Sequence, residues 1–288
     1  MKIYYYAFTG HKYGLERARR AAVILKGLTA KGFDTMLLVN DFRAGLAARD
    51  FGIAESVHIE TIQDIDAIAE IGDVVIIDSP EDDHGRLVKY CSDFKQVFRF
   101  AEHDEDTSIH GEILFTPDCT AENCISSIIV DNIYFETHQP KEERTLFFLG
   151  DSDAEKTLLN NSDFFKANPM ELLLGHYFYV KYENDLEKIF TTLHESEEYT
   201  ELICSSRRVV TASFQTALEA KVAGAEVIFI NLSNISNNQK ELLLLLKIIL
   251  ISDFNIETFE QIALDTVFDG DIPIERNDTI VTKIINCF

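Results

Sequence analysis

Short apolar runs alternate along the first half of the chain with longer segments in which apolar residues recur at helical spacing. The runs predict strands at Lys2–Phe8, Asp34–Val39, Ser56–Glu60, Asp73–Asp78, Gln96–Phe100 and Glu112–Thr116. The longer segments predict helices at Leu15–Lys31, Asp41–Phe51, the residues from 61 to Ile71, and Asp82–Phe94. The unbroken apolar run within Asp73–Asp78 is typical of a strand buried on both faces. This alternation predicts βαβ units and a parallel sheet.

The second half of the chain repeats the alternation. It predicts strands at Thr145–Leu149, Glu171–Leu174, Tyr177–Val180, Val209–Ala212 and Val227–Asn231, helices at Asp185–Leu193 and Phe214–Ala223, and mostly helix from Asn237 to Phe288. The polar segment His138–Glu143 interrupts the pattern and is typical of a linker. We therefore predict an α/β fold of two Rossmann-like domains, residues 1–138 and 139–288, the second carrying a helical C-terminal extension. Any ligand is expected in a cleft between the two domains.

The charge of the chain narrows the classes of partner. Lys and Arg number 26 against 49 Asp and Glu, which gives a formal net charge of −23. A surface this acidic repels phosphate backbones and anionic lipid, which excludes nucleic acid as a general partner. Solubility is the simplest explanation of the charge. An anionic ligand would need a local exception, such as a helix N-terminus or a small basic cluster.

Cysteine usage and apolar runs favour a cytoplasmic protein. The five cysteines are scattered and show no zinc-like spacing, so we expect reduced thiols and neither a metal nor a cofactor. The apolar run Leu242–Ile251 is interrupted by Lys247 and is too short to cross a bilayer. Residues 1–8 do not have the pattern of a signal peptide. The sequence predicts no oligomeric state.

The loop after the first predicted strand is the first candidate site. Gly10 and Gly14 permit a tight turn, and the helix that follows offers free N–H groups at its N-terminus. Arg17, Arg19 and Arg20 form the densest basic cluster in this acidic chain. One interpretation is an anion or phosphate site in which His11 acts as a base. The other is a surface helix with ordinary salt bridges.

Two further strand ends in the second half lead into helices. Ser213 follows the strand Val209–Ala212 and suits the N-cap of a helix whose N–H groups would face a diphosphate, while Glu219 could accept hydrogen bonds from ribose. Gly150, Asp151 and Ser152 follow another strand, although such residues are also common in turns. An ordinary capped helix is the alternative at Ser213.

Acidic clusters mark two more loops. Asp78 ends a predicted strand, with Asp82-Asp83-His84 just beyond it, and His103–Asp106 follows the next strand. Such groups could hold a metal or form acid/base pairs. Solvated loops more commonly explain them.

Several of these segments resemble GT-B enzymes. Residues 211–224 resemble the nucleotide-sugar signature of that superfamily, as found in lipid A disaccharide synthases. The better match is to the UDP-sugar hydrolases of pseudaminic acid biosynthesis, which residues 14–20, Ile76–Asp78 with His103–Asp106, and 149–153 also resemble. The similarity covers roughly residues 1–232 in order.

The resemblance implies a nucleotide sugar, most directly a UDP-sugar, bound between two Rossmann-like domains. The C-terminal domain would hold the nucleotide, with Ser213, Gln215 and Thr216 at the phosphates, Glu219 at the ribose and Gly150–Ser152 nearby. The sugar would face the first loop, with Gly10, Gly14 and Arg20.

The chain departs from that family at two positions. Arg17 stands in the register of a histidine that activates water, with His11 upstream in the same loop as the other candidate for this role. Phe214 replaces a small residue, often glycine, where backbone should approach phosphate. Two hypotheses follow: a nucleotide-sugar hydrolase or glycosyltransferase of surface-glycan metabolism, or a binding or regulatory protein on the same scaffold that has lost its catalytic histidine.

Overall fold

The computed structural model describes residues 1–117, 119, 124–137, 140–178, 180–232, 235–262 and 273–288. The chain forms two compact units, Met1–Asp131 together with Ile274–Phe288, and Asn132–Pro273. The boundary predicted between residues 138 and 139 lies outside the described residues. No helix in the described ranges is long and apolar enough to cross a membrane.

The strands are β1 (Ile3–Ala7), β2 (Thr35–Val39), β3 (Ser56–His58), β4 (Val74–Asp78), β5 (Gln96–Phe100), β6 (Ile113–Thr116), β7 (Cys124–Ser126), β8 (Glu142–Phe148), β9 (Glu171–Leu173), β10 (Thr192–His194), β11 (Ser206–Thr211), β12 (Glu226–Ile230) and β13 (Ile249–Ile251). The α-helices are α1 (Glu16–Ala30), α2 (Phe42–Ala47), α3 (Arg86–Asp93), α4 (Asn132–Glu136), α5 (Thr157–Asn160), α6 (Ser162–Ala167), α7 (Val180–Leu186), α8 (Tyr199–Ser205), α9 (Phe214–Val222), α10 (Asn237–Leu245), α11 (Ile256–Glu260) and α12 (Asn277–Ile285). Ile62–Ala67 and Ser196–Glu198 are 3-10 helices.

The first unit is built on a seven-stranded sheet in the order β3-β2-β1-β4-β5-β6-β7, in which every pair is parallel. Strands β1 and β4 are buried along their whole length, as their unbroken apolar runs predict. The chain moves from β1 to one side of the sheet through β2 and β3, and then returns to β4 on the other side. The order therefore reverses between β1 and β4.

The second unit is built on a six-stranded parallel sheet in the order β10-β9-β8-β11-β12-β13. Here the order reverses between β8 and β11. An aromatic core that includes Phe147, Phe165 and Phe190 covers one face of the sheet. The predicted α/β fold of two Rossmann-like domains is confirmed.

The C-terminal helix belongs to the first unit, whereas the sequence analysis predicts a helical extension of the second domain. Ile280, Val281 and Ile284 of α12 are buried, and a Cβ added at Gly27 of α1 would lie 2.6 Å from Val281 Cγ2. Asn277 Nδ2 also donates to the Val23 carbonyl at 3.0 Å. The apolar face of α12 is thus covered by α1.

Two local predictions in the second unit are wrong. Tyr177 and Phe178 do not form the strand predicted at Tyr177–Val180, because the Phe178 N–H donates to the Gly175 carbonyl and closes a turn, while the Tyr177 N–H donates to the Asp151 carbonyl. Val180 begins α7, and Tyr179 lies outside the described residues. The helix predicted at Asp185–Leu193 begins and ends earlier, as α7, and β10 follows it.

The cysteines are not all reduced, in contrast to the prediction. Cys119 and Cys124 form a disulfide beside the start of β7. Cys91, Cys204 and Cys287 are free thiols. The spacing of four intervening residues did not match a metal motif, and it did not identify a pair.

Candidate functional site

The residues predicted to bind ligand lie where each sheet reverses its strand order. In the first unit, Gly10, His11 and Gly14 follow β1, and Asp78 ends β4. In the second unit, a loop that includes Asp151 follows β8, and the segment that leads into α9 follows β11. Ligands of parallel α/β sheets bind at such switch points, beyond the carboxyl ends of the strands. Each unit therefore presents one candidate site, and each site is described below by itself.

The loop after β1 is a tight turn that is held by hydrogen bonds. Gly14 and Tyr13 both donate their N–H groups to the Gly10 carbonyl, at 2.8 and 2.9 Å. Gly14 has a φ of 68°, where a side chain would strain the backbone. At the base of the loop, Thr9 N donates to Asn40 Oδ1 at 2.7 Å, and Asn40 Nδ2 donates back to the Thr9 carbonyl. The loop is thus held in one conformation from both ends.

Asp78 is the shared partner of three side chains at the switch point of the first sheet. Arg20 donates from Nη2 to Oδ1 at 2.9 Å and from Nε to Oδ2 at 3.2 Å, and Arg17 Nε lies 3.2 Å from Oδ1. Tyr5 also donates its hydroxyl to Asp78 Oδ2 at 2.9 Å. Asp78 is fully buried. A buried carboxylate is stable only with such partners.

The basic cluster that the sequence predicts is largely neutralised. Arg17 Nη2 forms a second ion pair with Glu102 at 2.8 Å, and the Arg20 guanidinium is directed at Asp78. Arg19 lies elsewhere, over the ring of Phe51 at 4.4 Å. The two arginines at the switch point are therefore balanced by two carboxylates, as the salt-bridge interpretation expects.

Protonation within this cluster is fixed by burial and by Asp78. Burial raises the pKa of Tyr5 well above its usual value, and the neighbouring carboxylate raises it further. Burial is the largest single effect on Arg20 and disfavours its charged form, but the charge of Asp78, the interaction with Tyr5 and the hydrogen bond to Asp78 together outweigh burial and raise the pKa of the guanidinium. Tyr5 therefore remains a hydrogen-bond donor and Arg20 remains a cation.

His11 is exposed at the tip of the first loop and contacts α2. Arg43 Nη1 lies 3.2 Å from His11 Nε2. A guanidinium has no acceptor, so Nε2 is the acceptor and the ring proton resides on Nδ1. His11 would have to release Arg43 before Nε2 could take a proton from water or from a sugar hydroxyl.

In the second unit, Ser213 caps α9 as the sequence predicts. Its Oγ accepts from the Thr216 N–H at 3.1 Å and from the Thr216 hydroxyl at 2.9 Å, and its own N–H donates to Thr211 Oγ1 at 3.0 Å. Ser213, Gln215 and Thr216 are all buried. The start of α9 is therefore a capped turn that directly follows a central strand. Phe214 is also buried there, 9% exposed.

The loop after β8 packs tightly against the loop after β9. His176 Nδ1 lies 3.1 Å from Asp151 Oδ1. A Cβ added at Gly175 would lie 2.4 Å from the Asp151 carbonyl carbon, so only glycine permits this approach. Both side chains of the pair are largely buried, with 9% of His176 and 2% of Asp151 exposed. The pair fixes the position of Asp151 beside the switch point.

The acidic loops Asp82–His84 and His103–Asp106, which the sequence offers as metal or acid/base sites, form turns. Asp82 and Asp83 accept from backbone N–H groups two residues ahead, at 2.8 and 2.5 Å. Asp106 accepts from the Glu102 N–H at 2.9 Å and pairs with Arg99. Among the described residues, no group of three His, Cys, Asp or Glu side chains is arranged to hold a metal ion.

The sequence analysis does not identify four residues that lie at the two switch points: Tyr5, Glu102, His176 and Tyr199. Tyr5 lies within the apolar strand predicted at Lys2–Phe8, and Glu102 directly precedes the acidic loop His103–Asp106. The Tyr199 hydroxyl lies 2.7 Å from Thr216 Oγ1 of α9, but Tyr199 starts a short helix, α8, that carries no motif. The sequence signal for His176 is the preceding glycine after a short strand, which marks a close approach of two backbones.

Comparisons with solved structures identify the fold. The UDP-GlcNAc 2-epimerase of Methanocaldococcus jannaschii, in complex with UDP-GlcNAc and UDP, matches with a TM-score of 0.64 and 11% identity over 99% of each chain. The chain has the GT-B fold. The spinosyn forosaminyltransferase SpnP matches with a TM-score of 0.65 and 9% identity over 99% of this chain and 98% of that one. S. aureus MnaA, solved with UDP, matches with a TM-score of 0.62 and 13% identity, over 99% and 95%.

No protein-family model and no curated protein matches the sequence. At 9–13% identity, these structural matches establish the fold and leave the ligand to be argued from the site.

Proposed function

We propose that this chain binds a nucleoside diphosphate sugar, most directly a UDP-sugar, with the nucleotide at the switch point of the second sheet. One observation carries the proposal. The Ser213 cap of α9 and the Gly150–Ser152 loop flank the reversal between β8 and β11. That is where an α/β sheet binds nucleotides, and a helix N-terminus after a central strand suits a diphosphate. Structures of the same fold are described with UDP or UDP-GlcNAc, which supports this class of ligand.

The reaction that we favour from the resemblance is hydrolysis or transfer of the sugar, in surface-glycan metabolism in the cytoplasm. Helix N-termini would stabilise the leaving diphosphate, while a base would activate water or an acceptor hydroxyl. His11 and Arg17 are the residues that the sequence assigns to catalysis, and Gly10, Gly14 and Arg20 those that it assigns to the sugar. These assignments stay predictions.

A second candidate, binding without turnover, is supported by a specific observation. Arg17, which the sequence resemblance puts in the register of a histidine, is paired with Asp78 and Glu102. The Nε2 atom of His11 accepts from Arg43. Neither side chain is therefore arranged as a ready base. Incubation with UDP-GlcNAc separates the alternatives: UDP release in water indicates hydrolysis, release only with added sugar acceptors indicates transfer, and binding without release indicates a binding protein.

Binding itself is tested by isothermal titration of UDP into the wild type and Ser213→Ala. Loss of the cap should cost about 1 kcal/mol of unfolding free energy. We expect UDP affinity to fall on the order of tenfold as well, equivalent to about 1.4 kcal/mol, because the N–H groups of α9 lose their fixed direction.

The matched control is Ser236→Ala, since Ser236 caps α10 in the same way and accepts from Gln239 N at 3.2 Å. It should cost similar stability and leave UDP affinity unchanged. No UDP binding by the wild type at millimolar concentration would refute the UDP form of the proposal.

A further inference from the structure

The tip of the loop after β1 is positively charged and exposed. It consists of His11, Lys12 and Tyr13, all of which are exposed. Arg43, in the first turn of α2, is exposed as well and contacts the tip through its hydrogen bond to His11. The loop follows β1 and α2 follows the parallel strand β2, so both lie at the carboxyl edge of the first sheet. We call Lys12, Tyr13 and Arg43 the loop-tip cluster.

The two cations of this cluster are not neutralised as other cations of the chain are. Most other arginines pair with a carboxylate, as Arg86 does with Asp66. Within the part of the chain that the structure describes, no ion pair joins Lys12 or Arg43 to a carboxylate. Asp41 accepts from the Arg43 backbone N–H at 2.9 Å as the N-cap of α2. The Arg43 guanidinium therefore keeps donors for another acceptor.

Tyr13 adds an aromatic surface beside these charges. It is 53% exposed, and its ring packs edge-to-face on Phe8 with centroids 4.9 Å apart. The tight turn and the contact with Phe8 hold the ring in place, so little side-chain freedom is lost when a ligand packs on it. An aromatic ring with a few charged groups is a common lining of small-molecule sites.

The net charge of the chain indicates which kind of anion this cluster accepts. At −23 the protein repels a polyanion or an anionic membrane over its whole length. A small ligand mainly senses charges within about 10 Å, the screening length at ordinary ionic strength. Two cations beside an aromatic ring match a small ring-shaped ligand that carries one anionic group.

We infer that the loop-tip cluster binds an acidic sugar, whose anionic group pairs with Lys12 and Arg43 and whose ring packs on Tyr13. The inference rests on the proposed nucleotide-sugar function and adds the class of sugar. Two ligands present this chemistry: the sugar of the nucleotide sugar itself, and a separate acidic sugar that serves as acceptor.

Two pairs of ligands test the inference and separate these sources. UDP-glucuronate and UDP-glucose differ by one carboxylate, as do methyl glucuronide and methyl glucoside. Calorimetry or ligand-observed NMR gives the dissociation constants. We expect the wild type to bind the acidic member of at least one pair about fivefold more tightly, the sum of two exposed ion pairs. The net charge alone predicts the opposite order. A preference in the first pair identifies the nucleotide sugar, and a preference confined to the second identifies the acceptor.

Substitutions of equal charge separate the cluster from the general field of the protein. Lys12→Gln and Arg43→Gln should each reduce the preference to about twofold. Lys31→Gln and Arg49→Gln are the matched controls, since both residues are exposed in the first unit and lie outside the cluster, and they should keep the wild-type ratio. Tyr13→Ala should weaken both members of a pair by the same factor. Raising NaCl from about 50 to about 500 mM should abolish the wild-type preference.

Three results overturn the inference: no preference for the acidic member of either pair, a preference that persists in both folded cluster variants, or a preference that Lys31→Gln or Arg49→Gln reduces as much. Circular dichroism establishes that each variant is folded, and if a cluster variant does not fold, the NaCl dependence of the wild type decides. Equal binding of UDP-glucuronate and UDP-glucose, without preference in the second pair, leaves the proposed function standing. Failure to bind either UDP-sugar, with methyl glucuronide still preferred, removes the proposed nucleotide site and leaves the acidic-sugar site.

Discussion

Asp78→Ala should lower the free energy of unfolding by about 3 kcal/mol, because it leaves the Arg20 guanidinium and the buried Tyr5 hydroxyl without their shared acceptor and removes one ion-pair partner of Arg17. We place the loss at the low end for a broken buried ion pair, since 17% of each arginine side chain is exposed and water can partly replace the carboxylate. Urea denaturation followed by circular dichroism measures the loss.

Asp66→Ala is the control for the Asp78 prediction. Asp66 also pairs with two cations, Arg86 at 2.9 Å and Lys89 at 2.7 Å, but these partners are 42% and 48% exposed. Its loss should cost less than about 1 kcal/mol, as is usual for surface pairs. Equal losses for the two variants would contradict a structural role for Asp78 at the switch point.

Gly175→Ala should both destabilise the protein and weaken UDP binding. The added methyl would lie 2.4–2.5 Å from backbone atoms of Asp151, and backbone cannot rotate away. We expect a loss of about 1–3 kcal/mol, as for overpacked cores. Displacement of Asp151 also moves the loop that is proposed to hold the nucleotide, so the dissociation constant for UDP should rise. Urea denaturation and titration calorimetry measure the two effects.

Gly45→Ala is the matched control for this substitution. A methyl at Gly45 would lie 2.6 Å from Ser56 Oγ, the end of a side chain that can rotate. Replacing glycine inside a helix also gains up to about 1 kcal/mol. Stability and UDP affinity should therefore stay near the wild-type values. A Gly175→Ala protein as stable as this control would contradict the close packing of the two loops.

The strands of the first unit could be predicted because their burial leaves a direct trace in the sequence. Strand β1 is apolar throughout, β4 is apolar up to its last residue, Asp78, and Gly32 follows the end of α1. The Ser213 cap was predictable for a similar reason, since serine is preferred at the N-cap, where its side-chain oxygen accepts from an N–H group of the first turn. Local chemistry determines these features, so local sequence reveals them.

The ion pairs at the switch point of the first sheet could not be predicted, because they depend on the order of the strands in that sheet. Arg20 and Asp78 are 58 residues apart, and Arg17 and Glu102 are 85 apart. Only the placement of β4 beside β1, and of β5 beside β4, brings them together. The basic cluster was therefore visible in the sequence, whereas its neutralisation was not.

The second unit was harder to predict because several of its elements are short. The sequence predicts β9 but neither β10 nor α8, which have three and seven residues, too few for a clear period. Tyr199 begins α8, and His176 lies between β9 and α7. Both residues therefore lie in segments whose patterns carry little information.

Amide hydrogen exchange measured by mass spectrometry, with and without saturating UDP, tests the central claim most directly. If the nucleotide binds at the switch point of the second sheet, UDP should slow exchange in peptides covering Gly150–Ser152 and the first turn of α9, while peptides of α10 stay unchanged. Unchanged exchange in both segments under saturating UDP, with protection found elsewhere in the chain, would contradict the proposed site.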